Sequence, residues 1–270
     1  MHLHFQQFGN GWPMIIIHGL YGSSDNWISI AKMLEKHFSI FLIDLRNHGS
    51  SFHSNEHTYD KMALDVYEFI ESKKIYHPII VGHSMGGRVA MKFGLLFPQK
   101  VQKMVIIDIS PLHNSNNSKK HLIEHKNILS ALQKLPLDRL QTRKEASLYL
   151  SESILSEPVR NFLLKNLARE GKQFRWKLNL DIIATSINHI MEGFSLENPE
   201  HLNQTQYPIL FIKGNNSDYI EKEDVIAIER FYPQAEIVAI ENAGHWVHAE
   251  QPSMLIQAIK KFCTNEIDFN

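Results

Sequence analysis

Five residues constrain this chain more than any others: Gly82-His83-Ser84-Met85-Gly86, set between an apolar run and an apolar periodic stretch. Pro78-Ile79-Ile80-Val81 is short and largely β-branched, which predicts a buried strand. From Met85 to Phe97, residues Val89, Ala90, Phe93, Leu96 and Phe97 recur at helical spacing. A serine on a sharp strand-to-helix turn has its hydroxyl lifted clear of the backbone, beside a helix N-terminus that favours negative charge. The flanking glycines fit a place where strand and helix come too close for a side chain. The pentapeptide thus predicts a nucleophile and its scaffold together.

The same alternation runs through the first 110 or so residues. Strands are predicted at Met14 to Ile17, Ser39 to Ile43 and Met104 to Ile109, with helices from Ser24 (Trp27, Ile30, Leu34 inward) and after Thr58 (Met62, Val66, Phe69, Ile70 inward). Near-continuous apolar strands separated by amphipathic helices imply the α/β class, a mostly parallel sheet covered on both faces. After Pro111 the rhythm breaks. His113 to Ser118 reads as a polar linker, and from Lys119 to about Gly193 helix follows helix, with a capping box at Thr142 and Glu145 and a further start at Ser156 and Pro158. The helix that starts there is expected to lead into Phe162, Leu163 and Leu167, with a short extended piece at Phe174 to Leu180. Strands return at Ile209 to Ile212 and Glu236 to Ile240, around a helix at Glu223 to Phe231, and a last helix starts near Pro252. The expected organisation is a core of residues 1–111 and 207–270 with a helical cap, residues 112–206, inserted between its halves.

Composition narrows the rest. A formal net charge of -1 offers no footprint for nucleic acid or an anionic membrane. The single cysteine, Cys263, cannot form an internal disulfide and reads as a packing residue of the last helix. No run approaches the roughly 18 apolar residues of a membrane span, and no secretory signal is visible, so a cytoplasmic location is expected. His53 with His57, and His245 with His248, invite a metal reading, but no His-Glu-x-x-His motif accompanies them, and neither metal nor cofactor is expected. The glycines of His18-Gly19-Leu20-Tyr21-Gly22 are not followed by Gly-Lys-Ser/Thr, so they do not make a phosphate loop.

A serine hydroxyl needs a base to take its proton, and the base needs an acid to fix its tautomer. His245, in Ala243-Gly244-His245-Trp246 after the last strand, is the candidate base. Two acids compete. Asp108 closes the strand before Ile109-Ser110-Pro111, and Asp218 follows the penultimate strand in Gly214-Asn215-Asn216-Ser217-Asp218. The usual Gly-x-x-Asp pattern after that later strand carries Ser217 in its fourth place. Serine can bond an imidazole but cannot supply charge, so Asp108 is the preferred acid and Ser217 an auxiliary to the histidine. Backbone N–H groups of Leu20 and Met85 are the expected oxyanion donors. Asp44-Leu45-Arg46-Asn47-His48-Gly49-Ser50-Ser51 reads as a loop tied by Asp44 and Arg46.

Taken together, these residues resemble an α/β-hydrolase: His18-Gly19, Asp44-x-Arg46-x-His48-Gly49, the serine turn and Gly244-His245. More narrowly, the chain is similar to the YbfF-type esterases and a related mitochondrial branch. That likeness rests on Gly82 to Gly87, Asp108-Ile109-Ser110-Pro111, Phe174-Arg175-Trp176 with Asn179-Leu180, Asn216-Ser217-Asp218-Tyr219 and Ala243 to His248. The resemblance implies an ester or thioester hydrolase (acyl-CoA thioesters included) with a helical cap, and an acid after the earlier strand, in agreement with Asp108. Haloalkane dehalogenases and epoxide hydrolases of that fold use an aspartate nucleophile, against which Ser84 argues.

The function expected is therefore a serine esterase acting on a small-molecule acyl substrate held between sheet and cap, with Phe162, Leu163, Phe174 and Trp176 as apolar walls. Two alternatives stand beside it. One is a lyase or carbon–carbon hydrolase of a carboxylate metabolite held by Arg46, Arg88 or Arg175. The other is a ligand receptor that keeps the fold without turnover.

Overall fold

The structure is a computed structural model, described over residues 2–111, 117–171, 173–193 and 207–264. Seven strands among these residues form one sheet: β1 (Phe5–Phe8), β2 (Trp12–Ile17), β3 (Phe38–Ile43), β4 (Ile79–His83), β5 (Lys103–Ile107), β8 (Ile209–Gly214) and β9 (Glu236–Ile240). Their order is β1-β3-β2-β4-β5-β8-β9; β1 runs antiparallel to β3 and every other pairing is parallel. The edge strand β1 lies outside the expected set, because Phe5-Gln6-Gln7-Phe8 has no apolar run to announce it.

Side chains alternate across a strand, and here both faces are apolar. Ile15, Ile17, Ile80 and Ile106 join one core cluster, while Met14, Ile16, Ile79, Val81, Val105 and Ile107 join the other. The first cluster is closed by α2 (Tyr59–Lys73), α3 (Met85–Leu96) and α8 (Lys222–Phe231). The second is closed by α1 (Ile28–Leu34) and α10 (Pro252–Thr264), with Cys263 fully buried and its thiol pushed up to about 12 by that burial. The Thr58 hydroxyl accepts from Lys61 N–H at the start of α2, as its position before the apolar stripe predicts.

Between β5 and β8 the chain leaves the sheet. The described insertion holds α4 (Ser118–Gln133), α5 (Arg143–Leu150), α6 (Glu157–Leu164), the antiparallel hairpin of β6 (Leu167–Glu170) and β7 (Gln173–Trp176), and α7 (Leu180–Glu192). Thr142 caps α5 as expected, and the Glu145 carboxylate accepts from Gln141 N–H at 2.8 Å and also interacts with Thr142. Leu167 does not extend a helix. It pairs with Trp176, so the extended piece expected near Phe174 is one arm of a hairpin. Most of the expected linker and both expected cap boundaries, residues 112 and 206, lie outside the described residues.

From β2 the chain passes to β3, which lies between β2 and the edge strand β1, then resumes on the other side of β2 with β4. That reversal puts a crevice between the carboxyl ends of β2 and β4, where open α/β sheets bind ligands. Ser84 directly follows β4, and His18-Gly19-Leu20 directly follows β2.

Candidate active site

Ser84 holds φ 53° and ψ -122°. A non-glycine residue there is strained by about 1–3 kcal/mol and persists only where neighbours impose it. They do. Ser84 N–H donates to Ile107 O at 3.0 Å, and Ser84 O accepts from Gly87 and Arg88 N–H at 2.9 and 3.2 Å. The glycine reasoning also holds: a Cβ on Gly82 would lie 2.3 Å from Gly86 O, and one on Gly86 2.4 Å from the carbonyl oxygens of Ile17 and His18. Helix α3 therefore starts directly against the end of β2.

The structure brings Ser84, His245 and Asp108 into one hydrogen-bonded chain. Ser84 Oγ lies 3.0 Å from His245 Nε2, and His245 Nδ1 lies 2.8 Å from Asp108 Oδ2. Asp108 is fully buried at φ 50°, turned out of β5 so that three donors face its carboxylate. Gly214 N–H donates to Oδ1 at 2.9 Å, and His245 Nδ1–H and the Ser217 hydroxyl both donate to Oδ2.

Ser217 thus serves the acid and not the imidazole, a correction to its expected place beside the histidine. The reason is simple. With Nδ1–H spent on Asp108 and Nε2 facing Ser84, the ring has no free lone pair for a hydroxyl, whereas an ionised carboxylate accepts several donors. Asp218, the competing acid, points away. Its carboxylate meets Lys120 Nζ and His121 Nε2 on α4, each at 2.9 Å. Burial alone would raise the Asp218 pKa, but those two partners outweigh it and hold the group below the usual carboxylate range.

Leu20 and Met85 both border the serine, and among the described residues neither N–H meets an acceptor. Two buried neutral histidines shape the loop that offers Leu20. Leu45 N–H donates to His18 Nε2 at 3.0 Å, so His18 carries its proton on Nδ1 and donates to Gly19 O at 2.8 Å. Tyr21 N–H donates to His48 Nε2 at 3.3 Å, and His48 Nδ1–H goes to Arg46 O at 3.0 Å. Burial lowers both pKa values, the His48 value well below the ordinary one, which keeps the acceptor nitrogens bare. The loop after β3 is tied as expected, through separate partners: Asp44 accepts from Ser24 and Ser50 N–H, and Arg46 pairs with Asp65 through both Nε and Nη2.

Sequence reasoning did not find two neighbours of His245. His83 donates Nε2–H to the His245 carbonyl at 2.8 Å, and burial, followed by the nearness of His245 and His248, holds its pKa well below the ordinary value. Tyr219 lies flat on the imidazole, ring centres 3.7 Å apart and planes at 15°, and His121 stacks on the outer face of Tyr219 at 4.1 Å. The presence of His83 in the Gly-x-Ser-x-Gly motif and of Tyr219 in Asn216-Ser217-Asp218-Tyr219 was visible, but neither spacing encodes a contact.

Over these residues lies a cavity of about 590 Å³, lined by Leu20, Ser84, Tyr219 and His245 from the core and by Val159, Phe162 and Leu163 from the insertion. Phe174 and Trp176 do not line it. The Arg169 guanidinium lies over the Phe174 ring, and Trp176 Nε1–H donates to Leu132 O, so both hold the insertion together. The arginines suggested for a carboxylate substrate are also engaged: Arg46 by Asp65, Arg175 by Glu170 at the surface, and Arg88 by the carbonyls of Ser110, Ile190 and Met191.

The α/β hydrolase fold family matches residues 13–252 of this sequence. The chain belongs to that family. Esterase YbfF of Escherichia coli (strain K12) is 32% identical over 253 residues, spanning 94% of this chain and 93% of its own length. The Danio rerio protein named sn-1-specific diacylglycerol lipase ABHD11 is 36% identical over 264 residues, spanning 96% of this chain and 80% of its own. A solved marine microorganism esterase superposes with a TM-score of 0.90 at 43% identity, covering 97% of this chain and 99% of that one. Within the α/β hydrolases the chain therefore sits in the YbfF-type esterase branch, and it is an enzyme of the carboxylic-ester hydrolase class. Among the described residues no helix is long and apolar enough to cross a membrane.

Proposed function

We propose that this enzyme hydrolyses small-molecule carboxylic esters, and thioesters by the same steps, through an acyl-enzyme on Ser84. The observation that carries the reading is the Ser84–His245–Asp108 chain, at 3.0 and 2.8 Å, beneath a cavity closed by the insertion. Residues 1–111 and 207–270 are the catalytic core in this reading, and residues 112–206 are its cap.

Ser84 Oγ attacks the acyl carbon as His245 Nε2 takes its proton, and the carbonyl π pair moves onto oxygen. The N–H groups of Leu20 and Met85 receive that oxyanion, and loss of one such donor typically costs about 3 kcal/mol of transition-state stabilisation. The ester C–O bond (or thioester C–S bond) then breaks, and His245 returns the proton to the leaving atom. A water molecule attacks the acyl-Ser84 ester with its proton going to His245. Collapse releases the carboxylic acid, and the proton goes back to Ser84 Oγ. Asp108 holds the tautomer and stabilises the imidazolium in both halves.

The test is labelling by a fluorophosphonate together with turnover of 4-nitrophenyl esters. Wild type should do both, and Ser84→Ala should lose labelling and at least 10⁴-fold of kcat on the scale known for such nucleophiles. Labelling without turnover of any ester would overturn the reading.

A further inference from the structure

Two recesses of very different size meet at Ser84. The large one, about 590 Å³, carries His245, Trp246 and His248 on its wall, and none of these touches the small one. The small recess, about 30 Å³, carries Met85, Arg88, Ile109, Ile190 and Met191, none of which touches the large one. Leu20, Ser84, His121, His125 and Tyr219 border both.

Resting on the esterase reading above, we infer that the enzyme takes esters of a short, uncharged acyl group with a bulky apolar alcohol or thiol. The direction follows from the proton. The leaving atom must lie within hydrogen-bond reach of His245 Nε2 to receive it, so the leaving group occupies the large recess, where His245 is. The acyl chain extends the other way, past the Met85 N–H, into the small recess.

Size then sets acyl length. A single water needs about 10–15 Å³ of such space, so a recess of about 30 Å³ takes roughly two non-hydrogen groups beyond the carbonyl. Its walls are core residues: Ile109, Ile190 and Met191 are at most 7% exposed. Charge sets acyl type. Arg88 lies at the recess, but its Nε–H goes to Ser110 O at 3.3 Å, and Nη1 donates to the carbonyls of Ile190 and Met191 at 3.1 and 3.0 Å. Those carbonyls take up its Nε and Nη1 hydrogens, and the buried Asp224 side chain also lines the recess, where it opposes an acyl carboxylate. The large recess has the opposite character, with Ile128, Ile154, Val159, Phe162 and Leu163 supplying an apolar wall from the cap.

Two matched ester series test this. With 4-nitrophenol as the constant leaving group, kcat/KM should fall at least tenfold from acetate to hexanoate, and a hemisuccinate should be no better than hexanoate. With acetate as the constant acyl group, kcat/KM should rise at least tenfold from the ethyl to the octyl ester. Met191→Ala or Ile190→Ala should raise the hexanoate-to-acetate ratio at least tenfold, and Val159→Trp should lower the octyl-to-ethyl ratio. Rates that climb with acyl length to octanoate, a hemisuccinate preferred over acetate, or unchanged ratios in variants whose Ser84 still takes the fluorophosphonate would overturn the inference while leaving an active esterase. Absence of turnover in both series would remove the esterase reading itself.

Discussion

The loops after β5 and β8 each place an aspartate at the carboxyl edge of the sheet, and the two do different work. Asp108 is fully buried, turned by a left-handed backbone into three donors, one of them His245. Asp218 has a side chain 38% exposed and binds Lys120 and His121 of α4. Proximity to the histidine does not separate them, because Tyr219, next to Asp218, lies directly on the imidazole. What separates them is one residue of register. Ser217 takes the place from which a carboxylate would reach the ring, so its hydroxyl meets Asp108 while Asp218 is turned outward to the cap.

The sharpest way to break this comparison is to neutralise each acid in turn. Asp108→Asn should cost on the order of 10³–10⁴-fold in kcat, since an amide cannot stabilise the imidazolium and favours the wrong tautomer. Equal losses in Asp108→Asn and Asp218→Asn, by kcat on a 4-nitrophenyl ester, would abolish the distinction. A second variant asks whether register is the cause: Ser217→Asp added to Asp108→Asn should recover at least tenfold of the lost kcat. No recovery in a protein that still takes the fluorophosphonate would mean the later loop cannot host the acid.

Acid titration sharpens the same contrast through stability. Burial holds the pKa values of His57, His125 and His248 down to about 3, with Arg46 adding to the effect on His57 and His245 to the effect on the other two. The unfolded chain binds protons near 6.5 and the folded one does not, so stability falls as pH drops below about 6.5 and continues to fall towards about 3. Each such histidine contributes at most about 1.4 kcal/mol per pH unit. Asp218 has a lowered pKa, so its contribution is present above its unfolded value of 3.8 and is lost only below it. Thermal melts should therefore show Tm dropping between pH 6.5 and 4.5, with wild type and Asp218→Asn falling in parallel. A flat Tm over that range would show that the buried histidines do not stay neutral. The smallest expected effect is on chemistry at neutral pH, where Asp218→Asn should change kcat less than about threefold.

The core half of the site was legible because its signals are local. Ser84 and Asp108 directly follow their strands, Leu20, Ser217 and His245 come within five residues of theirs, and the serine in place of aspartate at position 217 pointed to Asp108 before any geometry. The insertion was less legible for a physical reason. Leu167 sits four residues after Leu163, a helical interval, yet it becomes a strand only because Gln173 to Trp176 folds back on it. Phe174 and Trp176 looked like cavity walls, but their partners are other insertion residues, and nothing in their spacing distinguishes the two fates. Contacts made across the chain, such as His83 on the His245 carbonyl and Tyr219 on its ring, leave no periodic trace at all.

The bond from His83 to the His245 carbonyl has a consequence for how such an enzyme can change. It ties the serine turn to the histidine loop through the sheet, without using a single residue of the insertion. The contact that positions the histidine is thus independent of the insertion, whereas the recess walls are shared between core and insertion. Substitutions in α6 and in most of α7 can redraw the list of accepted esters while the nucleophile keeps its readiness. A covalent inhibitor that reaches Ser84 must also fit the walls that α6 and α7 supply around it.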